Sequence, residues 1–418
     1  MLFSPAIYGK LIERMKMNQE AYMSFKKITV FIGIVLVLLG GIFGFRHFKT
    51  TKTSAKTNLT FQDIKKKDFL HKQQAVLYAS HTTELLQEGK GSGQAIFIDE
   101  DGNAQRLRLD GLESGSTYYH KKKLYIEDAN QIFLIGKNTK KQKMPSELRG
   151  IKSGYLPATD QFYSLYNTGF STKYDYKTSI RFGNSKEKRF HVSQVPSFIS
   201  GVGEFSDRLV VLTQNLINDH FLLQEVFLRE KEAKVIKLTE LPLKHPSNLD
   251  IISPIMADKN SYYFVMTDYQ SEKREDLSLI IYNRQTKETE IKPFISYRSE
   301  EQVDNGLPNN FNHSSYLYKN HFYYVNGLGE VYRYNCRDGK IQKYLNLEFE
   351  STANHRLEQV RFQNGRIHHL YSDEEEDFFI ETYNLSSKKR EKLQKIKMNG
   401  LIPQNDKDYF LTSIEILN

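Results

Sequence analysis

From about residue 73 onward, short apolar runs alternate with polar turns at strand length. Seven turns carry the pattern, opening at Asp99, Gly136, Gly183, Arg229, Asn283, Asn335 and Asn384. Each closes an apolar or aromatic run, for example 94–98, 131–135, 221–228, 277–282, 330–334 or 378–383. A second run lies upstream of each turn, at 75–78, 123–126, 161–166, 208–212, 261–266, 321–325 and 366–371. These stretches are rich in Tyr, Phe, Val and Ile and are bounded by Gly, Asn, Asp and Lys, which predicts β-strands. After each turn the pattern changes toward alternation, as in Lys340-Ile341-Gln342-Lys343-Tyr344-Leu345. Alternation puts one face in water, as expected of the outermost strand of a small sheet.

The turns recur at steps of 37, 47, 46, 54, 52 and 49 residues. A period of that size belongs to propeller blades. Each unit holds three clear strands and room for a fourth, and one such sheet cannot bury both of its faces alone. Units arranged around an axis can. The expected fold class is therefore all-β: a seven-bladed β-propeller of four-stranded antiparallel blades, with six or eight blades as the alternatives. The strand Tyr409-Phe410-Leu411-Thr412-Ser413-Ile414 has no turn or partner after it, and so is expected to complete the first blade and close the ring.

The clearest copy of the repeat runs from His321-Phe322-Tyr323-Tyr324-Val325-Asn326-Gly327 through Glu330-Val331-Tyr332-Arg333-Tyr334-Asn335 to Asp338-Gly339. It resembles the repeat of bacterial propellers similar to the low-density-lipoprotein-receptor type. The resemblance implies that the organising turns share one face. The second-to-third strand loops and the blade connections would share the other, usually the working face.

The N-terminal region differs. An apolar run opening at Ile28 and closing at Phe45 has no charge and is just long enough to cross a bilayer as a helix. Arg46, His47 and Lys49 follow it instead of a small-residue cleavage site, which predicts an uncleaved signal anchor. The expected organisation is a cytoplasmic tail (1–27), a transmembrane helix (28–45), a tether (46–72) and an extracytoplasmic propeller (73–418). Gly40 and Gly44 offer a close-approach motif for pairing two such helices as a dimer.

Composition changes this picture little. The chain has 418 residues and a net charge of +9, but its lysines are scattered among turns and no nucleic-acid-binding motif accompanies them. A nucleic-acid role is not expected; an anionic surface polymer or a protein is the expected partner. One cysteine, Cys336, permits no internal disulfide. No nucleophile elbow, phosphate loop, dinucleotide fingerprint or His-Glu-x-x-His is present, so no catalytic residue, metal or cofactor is assigned. Asp99-Glu100-Asp101-Gly102 lacks calcium-loop spacing and reads as a turn.

Among the connections, the stretch from Pro293 to Ser314 is the longest, and a long structured loop is more often functional. Candidate binding residues there are Tyr297, Arg298, Asn309, Asn310 and His313, with Tyr297 and Arg298 suited to anchoring an interface. Tyr174, Tyr176, Asp268 and Tyr269 border the same face. The expected function is a membrane-anchored binding or assembly module. The alternatives are a surface hydrolase or lyase acting on a glycan or peptide, with Glu300, Glu301, Asp304 and His313 as its nearest acid–base candidates, and a ligand sensor that needs a second signalling protein.

Overall fold

The computed structural model describes residues 57–417, apart from 173–174, 185–188, 216–219, 244–247, 309, 348–354, 374 and 404. The apolar run from Ile28 to Phe45, the tail before it, Tyr174 and Asn309 all lie outside the described residues. No helix among the described residues is long and apolar enough to cross a membrane.

Seven antiparallel sheets form a β-propeller. Blades two to seven are each built in chain order, over residues 117–143, 150–195, 198–240, 249–297, 315–346 and 359–396. Blade one takes its three outer strands, Gln73–His81, Gly93–Asp99 and Ala104–Leu109, from the start of the domain and its innermost strand, Tyr409–Ile416, from the end. Ala75 sits opposite Ile416 and His81 opposite Tyr409, so the ring closes on one continuous antiparallel ladder. Closure removes the two open edges that a linear array would expose.

The core consists of seven separate clusters, one between each pair of neighbouring blades. This explains why the inner runs are nearly continuously apolar. On the second strand of blade five, Tyr262, Phe264 and Met266 enter the cluster shared with blade four, while Tyr263 and Val265 enter the one shared with blade six. Both faces are buried, and the period-two alternation sorts side chains between two cores.

The organising turns connect third and fourth strands. In the three close copies an asparagine caps its own turn: Asn283 Oδ1 accepts from the backbone of Gln285 and Thr286, Asn335 Oδ1 from Arg337, and Asn384 Oδ1 from Ser386 and Ser387. Four residues after each asparagine the chain turns left-handed, at Lys287, Gly339 and Lys388 with φ of 61°, 73° and 60°. Asp99 Oδ1 likewise accepts from Asp101 and Asn103, which makes that acidic stretch a capped turn.

The boundary expected at residue 73 shifts toward the N-terminus, because part of the stretch read as a tether is folded. Asn58–Leu59 adds a parallel strand outside Ala104–Leu109. Thr60 and Asp63 cap each other across the helix Phe61–Ile64. Ile64 and Phe69 then bury their side chains in the cluster between blades one and two. The compact unit accordingly begins at Thr57.

Candidate functional site

In blades two to seven the first-to-second and third-to-fourth turns lie at one end, so the second-to-third loops and the blade connections share the other. The connection from Tyr297 at the end of blade five to Ser315 at the start of blade six is the longest of these. Ser299 caps the helix Glu300–Gly306, whose buried Val303 and Gly306 hold it to the blade. Tyr297 donates to the Gly306 carbonyl at 2.9 Å, and a Cβ at Gly306 would come within 2.7 Å of the Tyr297 ring. Only glycine allows that approach.

Beyond the helix the chain crosses the mouth of the central channel. Asn310 Nδ2 donates to Gln359 of blade seven at 2.9 Å and to the Thr412 carbonyl of blade one. Asn312 Nδ2 donates to the Ile151 carbonyl of blade three at 2.7 Å, and Ser314 Oγ donates to the Ile252 carbonyl of blade five at 3.1 Å. One short segment is thus tied to four blades and forms a floor across the channel.

Below the floor lies a buried polar cluster along the channel. Arg361 of blade seven donates through Nη1 to His313 Nδ1 at 2.8 Å and pairs through Nη2 with Glu415 of blade one at 2.8 Å. Its guanidinium lies 5.6 Å from the ring centre of Tyr118 of blade two. Lys152 of blade three faces Glu204 of blade four at 3.5 Å, and Glu204 also accepts from Tyr163 at 2.6 Å. Burial pushes the Glu415 carboxyl up to about 7, against the pull of Arg361. Burial drives His313 well below its ordinary value, and the charges of Arg361 and Lys152 push it further the same way, so the ring is a neutral acceptor.

Above the floor opens a funnel of about 1180 Å³. Tyr176 and Phe198 line the funnel with rings edge to face at 5.1 Å, and Phe410 and Phe311 also line it. Asn167, Thr168, Ser200 and Gln87 intersperse uncharged polar groups, and Glu147 and Asp250 add carboxyls. At the rim Glu113 accepts from the Thr83 backbone at 2.6 Å and lies 3.6 Å from Arg149. Rings beside hydroxyls and amides suit binding by stacking and hydrogen bonding.

Of the residues singled out by sequence, Tyr176 lines the funnel and Asn310 forms part of its floor. His313 lies just below, bonded to Arg361. Tyr297 faces inward instead of outward: it is 2% exposed, and its hydroxyl also accepts from Asn326, so it braces the loop. Arg298 pairs with Asp276 of its own blade at 2.5 Å. Asp268 and Tyr269 stand on the long second-to-third hairpin of blade five, with Tyr269 exposed, away from the funnel lining. Glu300, Glu301 and Asp304 are exposed on the loop helix, apart from the buried His313. No group of residues suited to holding a metal ion occurs among the described residues.

Sequence reading missed Arg361, Glu415, Lys152, Glu204 and Tyr118. Each stands alone on a different inner strand, and the one available signal was a charge inside an apolar strand, as in Ile414-Glu415-Ile416.

The YycP β-propeller domain family matches residues 68–417. The chain belongs to that family. It is 25% identical over 368 residues to the uncharacterized protein YycP of Bacillus subtilis (strain 168), covering 87% of this chain and 92% of that one. Among solved structures it is similar to the β-propeller domain of the Trilobed protease from Pyrococcus furiosus, described as having an open velcro topology (TM-score 0.46, 13% identity, 80% of this chain and 96% of that one). A puromycin-hydrolyzing peptidase of Mycobacterium tuberculosis gives a TM-score of 0.48 at 9% identity, over 77% of this chain and 51% of that one. At these values neither structure informs the activity of a YycP-family propeller.

Proposed function

We propose that the propeller is a membrane-anchored, extracytoplasmic binding or assembly module that receives its partner, a protein or an anionic surface polymer, in the funnel. The observation carrying this reading is the floor: a segment tied to four blades turns the channel mouth into a closed, rigid receptacle lined by rings, hydroxyls and amides. A preformed concave site with a few placed polar groups is what binding without reorganisation requires. The resemblance of the best repeat to receptor-type propellers supports use of the same face. The charge-free run from Ile28 to Phe45, followed by basic residues, supports the anchor.

The test is gentle purification of the full-length protein from its native membrane, alongside Tyr176→Ala, with every companion quantified. The expected result is a stoichiometric companion or bound polymer that falls at least tenfold in the variant. Identical companions in both preparations would remove the funnel from consideration. The protein is expected to stay with the membrane after an alkaline wash, and its release would refute the anchor.

A further inference from the structure

We propose a second, separate binding site for a small organic or inorganic anion, in the seam between blade seven and blade one. The argument starts from the repeat. At the third position of the second strand, four blades carry tyrosine: Tyr125, Tyr163, Tyr263 and Tyr323. Each is at most 5% exposed and fills the cluster shared with the following blade. Blade seven carries His368 instead. Blades four and one carry the smaller Val210 and Ala75 at this position, and beside His368 the seam opens into a cleft of about 260 Å³. Its other wall is the closing blade, through Gln74 from the first part of the chain and Ile416 from the last.

The cleft is cationic. Lys392 reaches across the seam, its Nζ 3.1 Å from Gln74 Oε1, and an ammonium has two further protons to donate. Arg366 bonds Glu391 through Nε at 2.6 Å, which leaves its terminal guanidinium nitrogens available. Glu391, the one carboxylate lining the cleft, has its other oxygen engaged by Asn384 at 2.7 Å. His368 Nδ1 lies 3.0 Å from Thr382 Oγ1, and when that hydroxyl donates, the ring carries its proton on Nε2. Burial drives the imidazole down to about 4, with Arg366 and Arg361 adding to the effect, so the ring is neutral at pH 7.

Two cations against one carboxylate leave the lining with one net positive charge and with N–H donors that suit anionic oxygen. The volume limits the occupant to a few heavy atoms, the size of phosphate or a short dicarboxylate. Such a ligand would touch the strands Gln73–His81 and Tyr409–Ile416 and the last blade together, so binding it would fasten the ring at its seam.

The test is thermal unfolding of the full-length protein with malonate, with inorganic phosphate, and with chloride at matched ionic strength. A specific site raises Tm by about 3 °C at a hundredfold excess over Kd, beyond the chloride control. A response to malonate alone assigns a carboxylate ligand, and a response to phosphate alone assigns a phosphate. His368→Tyr restores the repeat residue and fills the cleft, and is expected to abolish the response without lowering the ligand-free Tm. Lys392→Gln leaves the cleft open and is expected to weaken binding at least tenfold by calorimetry, so the question is decided even if the tyrosine variant misfolds. No excess over chloride with either anion, or a response that survives both substitutions, overturns the proposal.

Discussion

Blade six and blade one have the same four-stranded antiparallel core but are made in different ways. Blade six is one unbroken stretch, 315–346, whose strands meet through short turns at Lys319–Asn320 and after Asn335. Phe322 and Tyr324 are fully buried in it, and every pairing joins neighbours in sequence. In blade one Val76, Leu77, Tyr78 and Phe97 are buried just as completely, yet the inner ladder pairs residue 75 with residue 416. The loop that must close first is nearly the whole domain. Loop-closure entropy rises slowly with length, but no contact offsets it until the other blades are in place. The same sheet is therefore a local product at one point of the ring and the last result of assembly at another.

The strongest way to break this comparison is to delete residues 408–418. The loss removes the buried side chains of Tyr409, Leu411, Ile414 and Glu415 and exposes the edge of Gln73–His81. Each of the apolar side chains among these contributes on the order of 2–4 kcal/mol, so Tm is expected to fall by well over 10 °C, with loss of a single cooperative transition. Unchanged melting by circular dichroism would refute the closure role.

A smaller effect is expected from pH, and it too belongs to blade one. Glu415 titrates near pH 7 when folded but near its ordinary 4.5 when unfolded. Between those values the unfolded chain binds fewer protons than the folded one, so stability falls as pH rises through the window. Glu415→Gln removes the linkage. Relative to the parent, the variant is expected to gain up to about 3 kcal/mol between pH 4.5 and 8. Parallel pH profiles from denaturant titration would show that the carboxyl is not held protonated.

The smallest effect belongs to blade six. Lys319 and Asn320 both adopt positive φ, 49° and 60°, in the two-residue turn between its first and second strands. Lys319→Asn combined with Asn320→Gly supplies the pair that this turn geometry favours, and is expected to stabilise by about 0.5–1 kcal/mol. A loss of stability would mean that the turn is set by its surroundings and not by its own residues.

The fold was legible because its signals are local. Asparagine-capped turns, aromatic inner runs and alternating outer strands each depend on residues within a few positions of one another, and they recur. The boundary was less legible. Thr60 and Asp63 have capping-box spacing, but the lysines between Ile64 and Phe69 hide the two apolar side chains that dock. At the site, loop length pointed to the correct connection, since Asn310 and His313 lie at the channel. It did not indicate that Tyr297 faces the core, because the fate of a tyrosine at a strand end depends on where the following helix packs.

The sequence by itself determined the repeat of about seven units, the second and third strands of most of them, the organising turns and the spare strand at the end. These follow from hydrogen-bonding and period-two packing between near neighbours. Tertiary structure alone decided what meets at the axis. Arg361, Glu415, Lys152 and Glu204 come from four separate blades and His313 from the connection between two others, and none carries its partner within a few residues. Only closing the ring brings the inner strands face to face, and only there does burial move a carboxyl to about pH 7 and hold an imidazole neutral. The floor across the channel, the funnel above it and the cationic seam where the first and last parts of the propeller meet arise from the same rotation of the repeats about one axis.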